Sequence, residues 1–175
     1  MTADIGTFSS VYLERITQLI NKTNQFNLTT RRYTGAEVED ISRDPAFSTL
    51  YGRLADRFGD NGLVSVLIGR VSDVTVEVDL WLMSCRVLNR EMEFAMFDAL
   101  VDQCQARGIR RIVGVYIPSK KNSMVAGHYA GLGFTRAGGT AEGRELWHYD
   151  VPQPYSSRTR FIRRTTKMLP TVANA

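Results

Sequence analysis

The chain has 175 residues, of which 43% are hydrophobic and 23% are charged, and its formal net charge is +4 at pH 7. These values indicate one globular domain with a buried core. No apolar run approaches the ~20 residues that a membrane-spanning helix needs, and no signal-peptide pattern opens the sequence, so we expect a cytoplasmic protein. The two cysteines, Cys85 and Cys104, and the two histidines predict neither a disulfide framework nor a metal site.

The positive charge is concentrated after residue 150. That part of the chain contains no acidic residue and five basic ones: Arg158, Arg160, Arg163, Arg164 and Lys167. Without them the net charge falls from +4 to −1, so the remainder is nearly neutral and offers no basic face for nucleic acid. We predict a folded domain over residues 1–151 and a basic tail over residues 152–175, which is either disordered or docked as a short helix.

The N-terminal part of the chain has the patterns of a helix, a strand and a second helix. Apolar residues at helical spacing follow Ser9 and Ser10, either of which would cap the first helix. Alternation of polar and apolar residues over 24–33 indicates the first strand. Thr34 and Glu37 have the spacing of a capping box, which predicts a short second helix.

The rest of the chain predicts a hairpin followed by a β-α-β-α run. The predicted elements are strands over 50–58, 63–71 and 74–87, a helix over 91–107, a strand over 111–117, a helix over 122–132 and a last strand over 145–151. This order predicts an α/β domain with a mixed, mostly antiparallel sheet flanked by helices. At the strand-to-helix junction near residue 90, free backbone N–H groups and the helix dipole would favour a bound phosphate.

Two motifs resemble the GNAT acyltransferase superfamily. The run Arg86-Val87-Leu88-Asn89-Arg90-Glu91 resembles its pyrophosphate loop, usually (Gln/Arg)-x-x-Gly-x-(Gly/Ala). Asn122, Tyr129, Gly133 and Phe134 resemble its later motif, Asn-(x)6-Tyr-(x)3-Gly-Phe. The resemblance implies a GNAT fold, binding of acetyl-CoA by residues 86–91 and Asn122, and Tyr129 as the acid that protonates the departing thiolate.

Three longer stretches are more specific. Residues 21–32, 56–62 and 84–88 resemble the C-terminal region of FkbH-like proteins, which join a HAD-type phosphatase domain to a GNAT-like domain and load glyceryl units onto acyl carrier proteins for polyketide assembly. The resemblance covers roughly residues 12–151 and implies an acyl carrier protein as partner, with neither nucleic acid nor membrane. The chain lacks the Asp-x-Asp-x-Thr/Val nucleophile motif of HAD phosphatases, so a phosphatase domain would be a further partner.

Cys85 is the candidate nucleophile. A thiolate there would hold the acyl group as a thioester between donor and acceptor, which divides one transfer into two easier steps. Arg86 and the following helix N-terminus would favour the thiolate if they face it. In a regular strand, however, neighbouring side chains point to opposite faces, and a strand cysteine is commonly a small buried hydrophobe. Both interpretations are open at this stage.

The loop before the long helix departs from the superfamily pattern. Asn89 and Glu91 carry side chains where Gly or Ala would let backbone amides approach a pyrophosphate. We expect the helix N-terminus to stabilise the Glu91 carboxylate by ~0.3 to 1 kcal/mol, which would leave it less able to bind a diphosphate. A 4′-phosphopantetheine arm, which has one phosphate, should then bind more readily than coenzyme A. A plain helix start that binds neither is an equal alternative.

Three functions follow as hypotheses. The first is an FkbH-like acyltransferase acting on an acyl carrier protein, with Cys85 and Tyr129 as nucleophile and acid. The second is an acetyl-CoA-dependent N-acetyltransferase, in which an amine attacks directly and no cysteine is needed. The third is a catalytically degenerate GNAT domain that docks a carrier protein through its first helix and its basic tail.

Overall fold

The computed structural model describes residues 1–167, which form one eight-stranded sheet with helices on both faces. The strands are β1 (Thr2–Gly6), β2 (Phe47–Asp56), β3 (Gly59–Ser72), β4 (Thr75–Met83), β5 (Arg111–Tyr116), β6 (Thr135–Gly139), β7 (Glu145–Asp150) and β8 (Arg163–Lys167). Their order across the sheet is β6-β7-β5-β4-β3-β2-β1-β8. Only the β4–β5 and β1–β8 pairs are parallel, so the predicted mixed, mostly antiparallel α/β class is confirmed.

Four α-helices cover the sheet: α1 (Leu13–Lys22), α2 (Gly35–Arg43), α3 (Met92–Ala106) and α4 (His128–Gly131). The apolar stripes of α1 and α2 pack with Leu80 and Leu82 of β4 on one face of the sheet. Alternate residues of the same strand, Trp81 and Met83, point to the other face and pack with α3. Two cores therefore lie on opposite sides of one sheet.

Several predicted elements are confirmed, and their local signals explain why. The capping box of Thr34 and Glu37 has both of its hydrogen bonds at the start of α2. The β2–β3 hairpin lies where the alternating pattern predicts it. The first helix begins later than predicted, because its N-cap is Tyr12 and neither Ser9 nor Ser10 caps it by a side chain.

Other predicted elements differ from the structure. Residues 24–33 contain one isolated bridge, Asn27 to Leu82, in place of a full strand. Strand β4 ends at Met83, four residues before its predicted end, so Cys85 lies beyond the sheet. The predicted helix over 122–132 is divided into a 3₁₀ turn, Ser123–Val125, and the short α4.

The C-terminal segment is part of the folded sheet as far as the structure describes it. Strand β8 pairs in parallel with β1 and covers the edge that β1 would otherwise expose. Before β8 the chain crosses α3, where buried Asp98 accepts hydrogen bonds from Tyr155 and from residues 157–159. A boundary after residue 151 therefore does not separate this segment from the domain. Residues 168–175 of the predicted tail, including its apolar pair at 168–169, lie outside the described residues.

Within residues 1–167, no helix is both long and apolar enough to cross a lipid bilayer.

Candidate functional site

Strands β4 and β5 separate at their C-terminal ends, and another segment lies between them. Their pairing extends from Thr75 with Arg111 to Val78 with Gly114. Beyond that point residues 26–28 bond to both sides: Met83 N donates to Phe26 O (3.0 Å), Leu28 N donates to Trp81 O (3.0 Å), and Ile117 N donates to Leu28 O (2.9 Å). The backbone groups that face the gap are therefore already paired within the chain.

Asn122 fastens this inserted segment. Its side chain is fully buried, and Nδ2 donates to Asn27 O (2.9 Å) and to Ile117 O (3.0 Å). Its Oδ1 accepts from Ser119 N (2.8 Å). Asn122 makes no side-chain cap on the turn that follows it. Its hydrogen bonds hold residues 26–28 in the gap, and contact with a pantetheine arm stays a prediction.

A cavity of about 380 Å³ opens beside the end of β4. Residues 22–26 form one wall and residues 83–85 form the other; we call this the Cys85 cavity. Cys85 is exposed and begins a 3₁₀ turn, Cys85–Val87, in which Ser84 Oγ accepts from Arg86 N at 3.4 Å. Cys85 therefore lies on an exposed turn and is not a buried strand residue, and its role as a nucleophile stays a prediction.

The loop before α3 is held by contacts within the chain. Val87 is fully buried, Leu88 is half-buried, and Arg90 forms an ion pair with Asp56 of the β2–β3 hairpin. Asn89 has a left-handed backbone with φ 60°. These residues shape the loop and support the turn that carries Cys85.

Glu91 does not occupy its own helix N-terminus, contrary to prediction. Its φ is 61°, it makes no cap to α3, and its Oε2 accepts from the backbone N–H groups of Arg160 (3.2 Å) and Phe161 (3.1 Å). In the first turn of α3, burial and the charge of Glu91 raise the pKa of Glu93, whose Oε2 is buried without a hydrogen-bond partner among residues 1–167. The N-terminal end of α3 carries these two acidic residues, and Asn89 and Glu91 bear side chains where a pyrophosphate loop has Gly or Ala, so the residues present fit coenzyme A poorly there.

Tyr129 lies in the core beneath β5. Its ring packs against Gly114, where an added Cβ would approach a ring carbon to 2.5 Å. Its hydroxyl accepts from Val115 N (3.2 Å), and burial raises the pKa of the phenol well above its ordinary range. Tyr129 does not line the Cys85 cavity. Its role as an acid remains a prediction, and this geometry favours a structural role.

Replacing Tyr129 with phenylalanine tests the two roles. The variant keeps the ring on Gly114 and loses two hydrogen bonds, because the hydroxyl accepts from Val115 N and donates to Val115 O, so we expect a loss of about 1 to 2 kcal/mol in the free energy of urea unfolding. Acyl transfer by the folded variant should stay within about threefold of the parent protein. A drop of about 100-fold at unchanged fold would instead assign the proton transfer to Tyr129.

An aromatic cluster that the sequence did not predict lies behind the Cys85 cavity. The His128 ring meets Trp81 edge-on at 4.5 Å between centroids, and it meets Phe26, a wall residue of the cavity, at 5.2 Å. The Nε2 of His128 and the Nε1 of Trp81 are buried without hydrogen-bond partners among the described residues. Burial lowers the pKa of His128 to about 3. His128 is therefore neutral at physiological pH and serves as a packing residue.

The depressed pKa of His128 predicts how stability depends on pH. The unfolded chain binds a proton near the ordinary pKa of 6.5 while the folded chain does not. This contribution is fully present above pH 6.5 and is lost as the pH falls towards 3. Between pH 7 and pH 5 we expect the free energy of unfolding to fall by about 2 kcal/mol. A His128→Phe variant should lose this part of the pH dependence; an unchanged pH profile would contradict the burial of a neutral imidazole.

Solved structures match nearly the whole chain. They include the ribosomal-protein-S18-alanine N-acetyltransferase from Escherichia coli, with 12% identity over 91% of this chain and 100% of that chain and a TM-score of 0.63. Ard1 from Thermoplasma volcanium has 15% identity over 87% and 99%, with a TM-score of 0.66. A GNAT superfamily phosphinothricin acetyltransferase from Sinorhizobium meliloti, solved with AcCoA, has 17% identity over 87% and 90%, with a TM-score of 0.62.

These similarities establish that the chain has the GNAT fold. No family model and no curated protein sequence matches it. At identities of 12–17% the fold alone is shared, since one fold carries many functions. The fold implied by the GNAT resemblance is confirmed, and the FkbH-like part of that resemblance stays a prediction.

Proposed function

We propose that this domain is a GNAT-fold acyltransferase of the FkbH-like kind, which transfers an acyl group such as glyceryl to or from an acyl carrier protein in polyketide-type biosynthesis. The observation that supports this function is the composition of the Cys85 cavity. Its two walls, residues 22–26 and 83–85, lie in or directly beside two of the three stretches that carry the FkbH-like resemblance. They lie about 60 residues apart in the chain, and an exposed thiol lies where they meet.

Thioester exchange through Cys85 is the chemistry that this arrangement favours. The Cys85 thiolate attacks the carbonyl carbon of the donor thioester, a new C–S bond forms, and the donor's C–S bond breaks. The proton that Cys85 gave up ends on the departing donor thiol. The acceptor thiol then reverses these steps and regenerates Cys85. Nothing is oxidised or reduced, and the chain needs no metal for this exchange.

A phosphopantetheine thioester fits the residues around Cys85 better than coenzyme A does. When bound, the arm supplies the acyl thioester or the accepting thiol. The Cys85 cavity has a free opening beside Lys22 and the exposed Arg86, and one phosphate can be paired there without entering the start of α3. Glu91 and Glu93, which disfavour a diphosphate, belong to that helix start and do not line the Cys85 cavity.

An acetyl-CoA-dependent N-acetyltransferase is the second candidate. Its support is that solved structures with this fold include acetyltransferases in complex with coenzyme A or AcCoA. It would require a different phosphate site from the α3 start, or release of Glu91 from residues 160 and 161. A catalytically degenerate domain that only docks a carrier protein is the remaining alternative.

Calorimetric titration separates these functions. The protein is titrated with acetyl-CoA and, in parallel, with a holo acyl carrier protein, and each mixture is then tested for acyl transfer. Saturable binding of the carrier, with transfer, supports the proposed function. Saturable binding of acetyl-CoA with acetylation of an amine would replace it by the second candidate, and carrier binding without transfer would favour the docking domain.

A further inference from the structure

Three loops meet at the Cys85 cavity, and none of them contains an acidic residue. They are residues 20–36, 83–90 and 117–134. The first two supply the cavity walls. The third is fastened beside them, because Asn122 Nδ2 donates to Asn27 O at 2.9 Å. All the charged side chains of these three segments are therefore positive.

Four basic side chains of these loops are available to bind a ligand. Lys22, Arg86, Lys120 and Lys121 are exposed and form no ion pair within the described part of the chain. We call these four residues the cationic rim. Lys22 lines the cavity itself, and Arg86 directly follows Cys85.

The other arginines of the three loops are engaged in structural contacts. Arg31 pairs with Asp79 at 3.0 Å, and Arg90 pairs with Asp56. Arg32 donates to the carbonyls of Ile20 and Thr23 at the end of α1. Their roles separate them from the cationic rim, whose four charges have no acidic partner among residues 1–167.

Three carboxylates on segments that adjoin the rim are engaged within the chain. On the β2–β3 hairpin Asp56 pairs with Arg90, and Asp60 pairs with Arg53 at 2.5 Å. Glu91 accepts from the backbone of the C-terminal segment. The rim therefore keeps a local excess of positive charge although the chain without its last basic residues is nearly neutral.

Two large apolar side chains lie exposed on segments that carry or adjoin the cationic rim. Phe58, at the tip of the β2–β3 hairpin, is 80% exposed, and Met124, in the loop after β5, is 53% exposed. The Arg90–Asp56 ion pair ties that hairpin to the loop of Cys85. Protein interfaces are enriched in aromatic residues and Met, and charged side chains around them steer association. A protein partner can cover both groups, whereas a free nucleotide would pair only with the cations.

We propose that the cationic rim, with Phe58 and Met124, is the docking surface for an acidic protein that presents a phosphate-bearing thiol arm to Cys85. This inference rests on the proposed function. The rim pairs with the partner's carboxylates and with the phosphate of the arm, while the thiol end of the arm enters the cavity. The C-terminal arginines are not needed for this contact, and two of them have partners in the fold: Arg158 donates to Leu132 O and Arg164 pairs with Asp102.

A charge-reversal pair tests this surface. Lys120→Glu with Lys121→Glu should weaken binding of a holo acyl carrier protein by about tenfold or more at low salt, since long-range attraction is replaced by repulsion. The matched control is Arg70→Glu with Arg110→Glu, which makes the same charge change with exposed residues at the opposite end of the sheet. The control should stay within about twofold of the parent protein. The difference between the two variants should shrink as salt rises, because salt screens exposed charges.

Equal weakening by both pairs, or no weakening by the rim pair, would overturn the proposal. Coenzyme A that binds as tightly as the holo carrier, and competes with it, would also overturn it in favour of a free nucleotide. Acylation of Cys85 by a small acyl thioester, such as an acyl-N-acetylcysteamine, is measured separately by mass spectrometry. If Cys85 is acylated but carrier binding does not depend on the rim, only the docking surface is contradicted. If carrier binding depends on the rim but Cys85 is not acylated, only the covalent step of the proposed function is contradicted.

Discussion

Replacing Cys85 with alanine is expected to lower acyl transfer by about 10³-fold or more, since removal of a covalent nucleophile removes the intermediate it carries. The exposed turn at the end of β4 tolerates a smaller side chain, so the variant should fold as the parent does. Intact-protein mass spectrometry after incubation with an acyl thioester should show one added acyl group in the parent protein and none in the variant. Carrier-protein affinity should remain unchanged.

Cys104 provides the matched control. It lies fully buried in α3, and burial raises the pKa of its thiol to about 12. Cys104→Ala should therefore keep both labelling and transfer and should lose only about 1 kcal/mol of stability. Full transfer activity in Cys85→Ala would instead exclude the covalent route and would favour direct attack by an acceptor.

Replacing Asp98 with alanine is expected to cost on the order of 3 kcal/mol in the free energy of unfolding, because it removes the buried acceptor of five partly buried hydrogen bonds from the C-terminal segment. Oδ1 accepts from Tyr155 Oη (2.5 Å) and Arg158 N (3.0 Å), and Oδ2 accepts from Ser157 Oγ (2.5 Å) and from both Oγ1 (2.5 Å) and N (3.1 Å) of Thr159. The carboxylate is fully buried. The loss should appear in urea unfolding followed by circular dichroism.

Asp102, one turn further along α3, is the control. Its side chain is 36% exposed and contacts Arg164 at 2.9 Å. Asp102→Asn should cost less than about 1 kcal/mol, as partly exposed ion pairs contribute little. If Asp98→Ala were as mild as this control, the C-terminal segment would not be held through Asp98.

The pKa of Asp98 makes the stability contributed by its hydrogen bonds depend on pH. Burial raises this pKa, but the hydrogen bonds from Ser157, Thr159, Tyr155 and Arg158 outweigh burial and leave it below the ordinary value of 3.8. Its contribution to stability is present above that ordinary value and is lost as the pH falls through the folded-state pKa. The acid limb of the stability profile should therefore be flatter in Asp98→Asn.

Local patterns predicted the elements whose signals are complete within a few residues. The capping box of Thr34 and Glu37 and the alternation of β2 and β3 need no distant partner to be recognised. The run of residues around Asn27 alternates as a strand does, but its partners, Trp81 and Ile117, lie more than 50 and about 90 residues away. Only those partners decide that the segment contributes three residues to a gap and not a full strand.

The sequence identified two of the site residues, but their surroundings depend on distant parts of the chain. The sequence identified Cys85 but not its exposure, because exposure follows from the end of β4 at Met83, where Met83 N donates to Phe26 O. It identified Tyr129 without its position in the core, because Gly114, the residue that makes room for the ring, lies on another element. His128 had no signal in the sequence, since its surroundings are assembled from β4, α4 and the inserted segment.

The parallel pairing of β1 with β8 has a consequence for the order in which the domain folds. Residues 2–6 pair with residues 163–167, so about 160 residues must be arranged before this contact can form. Contacts of such long sequence separation carry a large loop-closure cost and slow a folding reaction. During synthesis β1 can pair with β2 long before β8 leaves the ribosome, and its other edge stays open to strands of neighbouring chains. Aggregation during refolding should therefore respond more to changes in β8 than to changes of similar cost in α2.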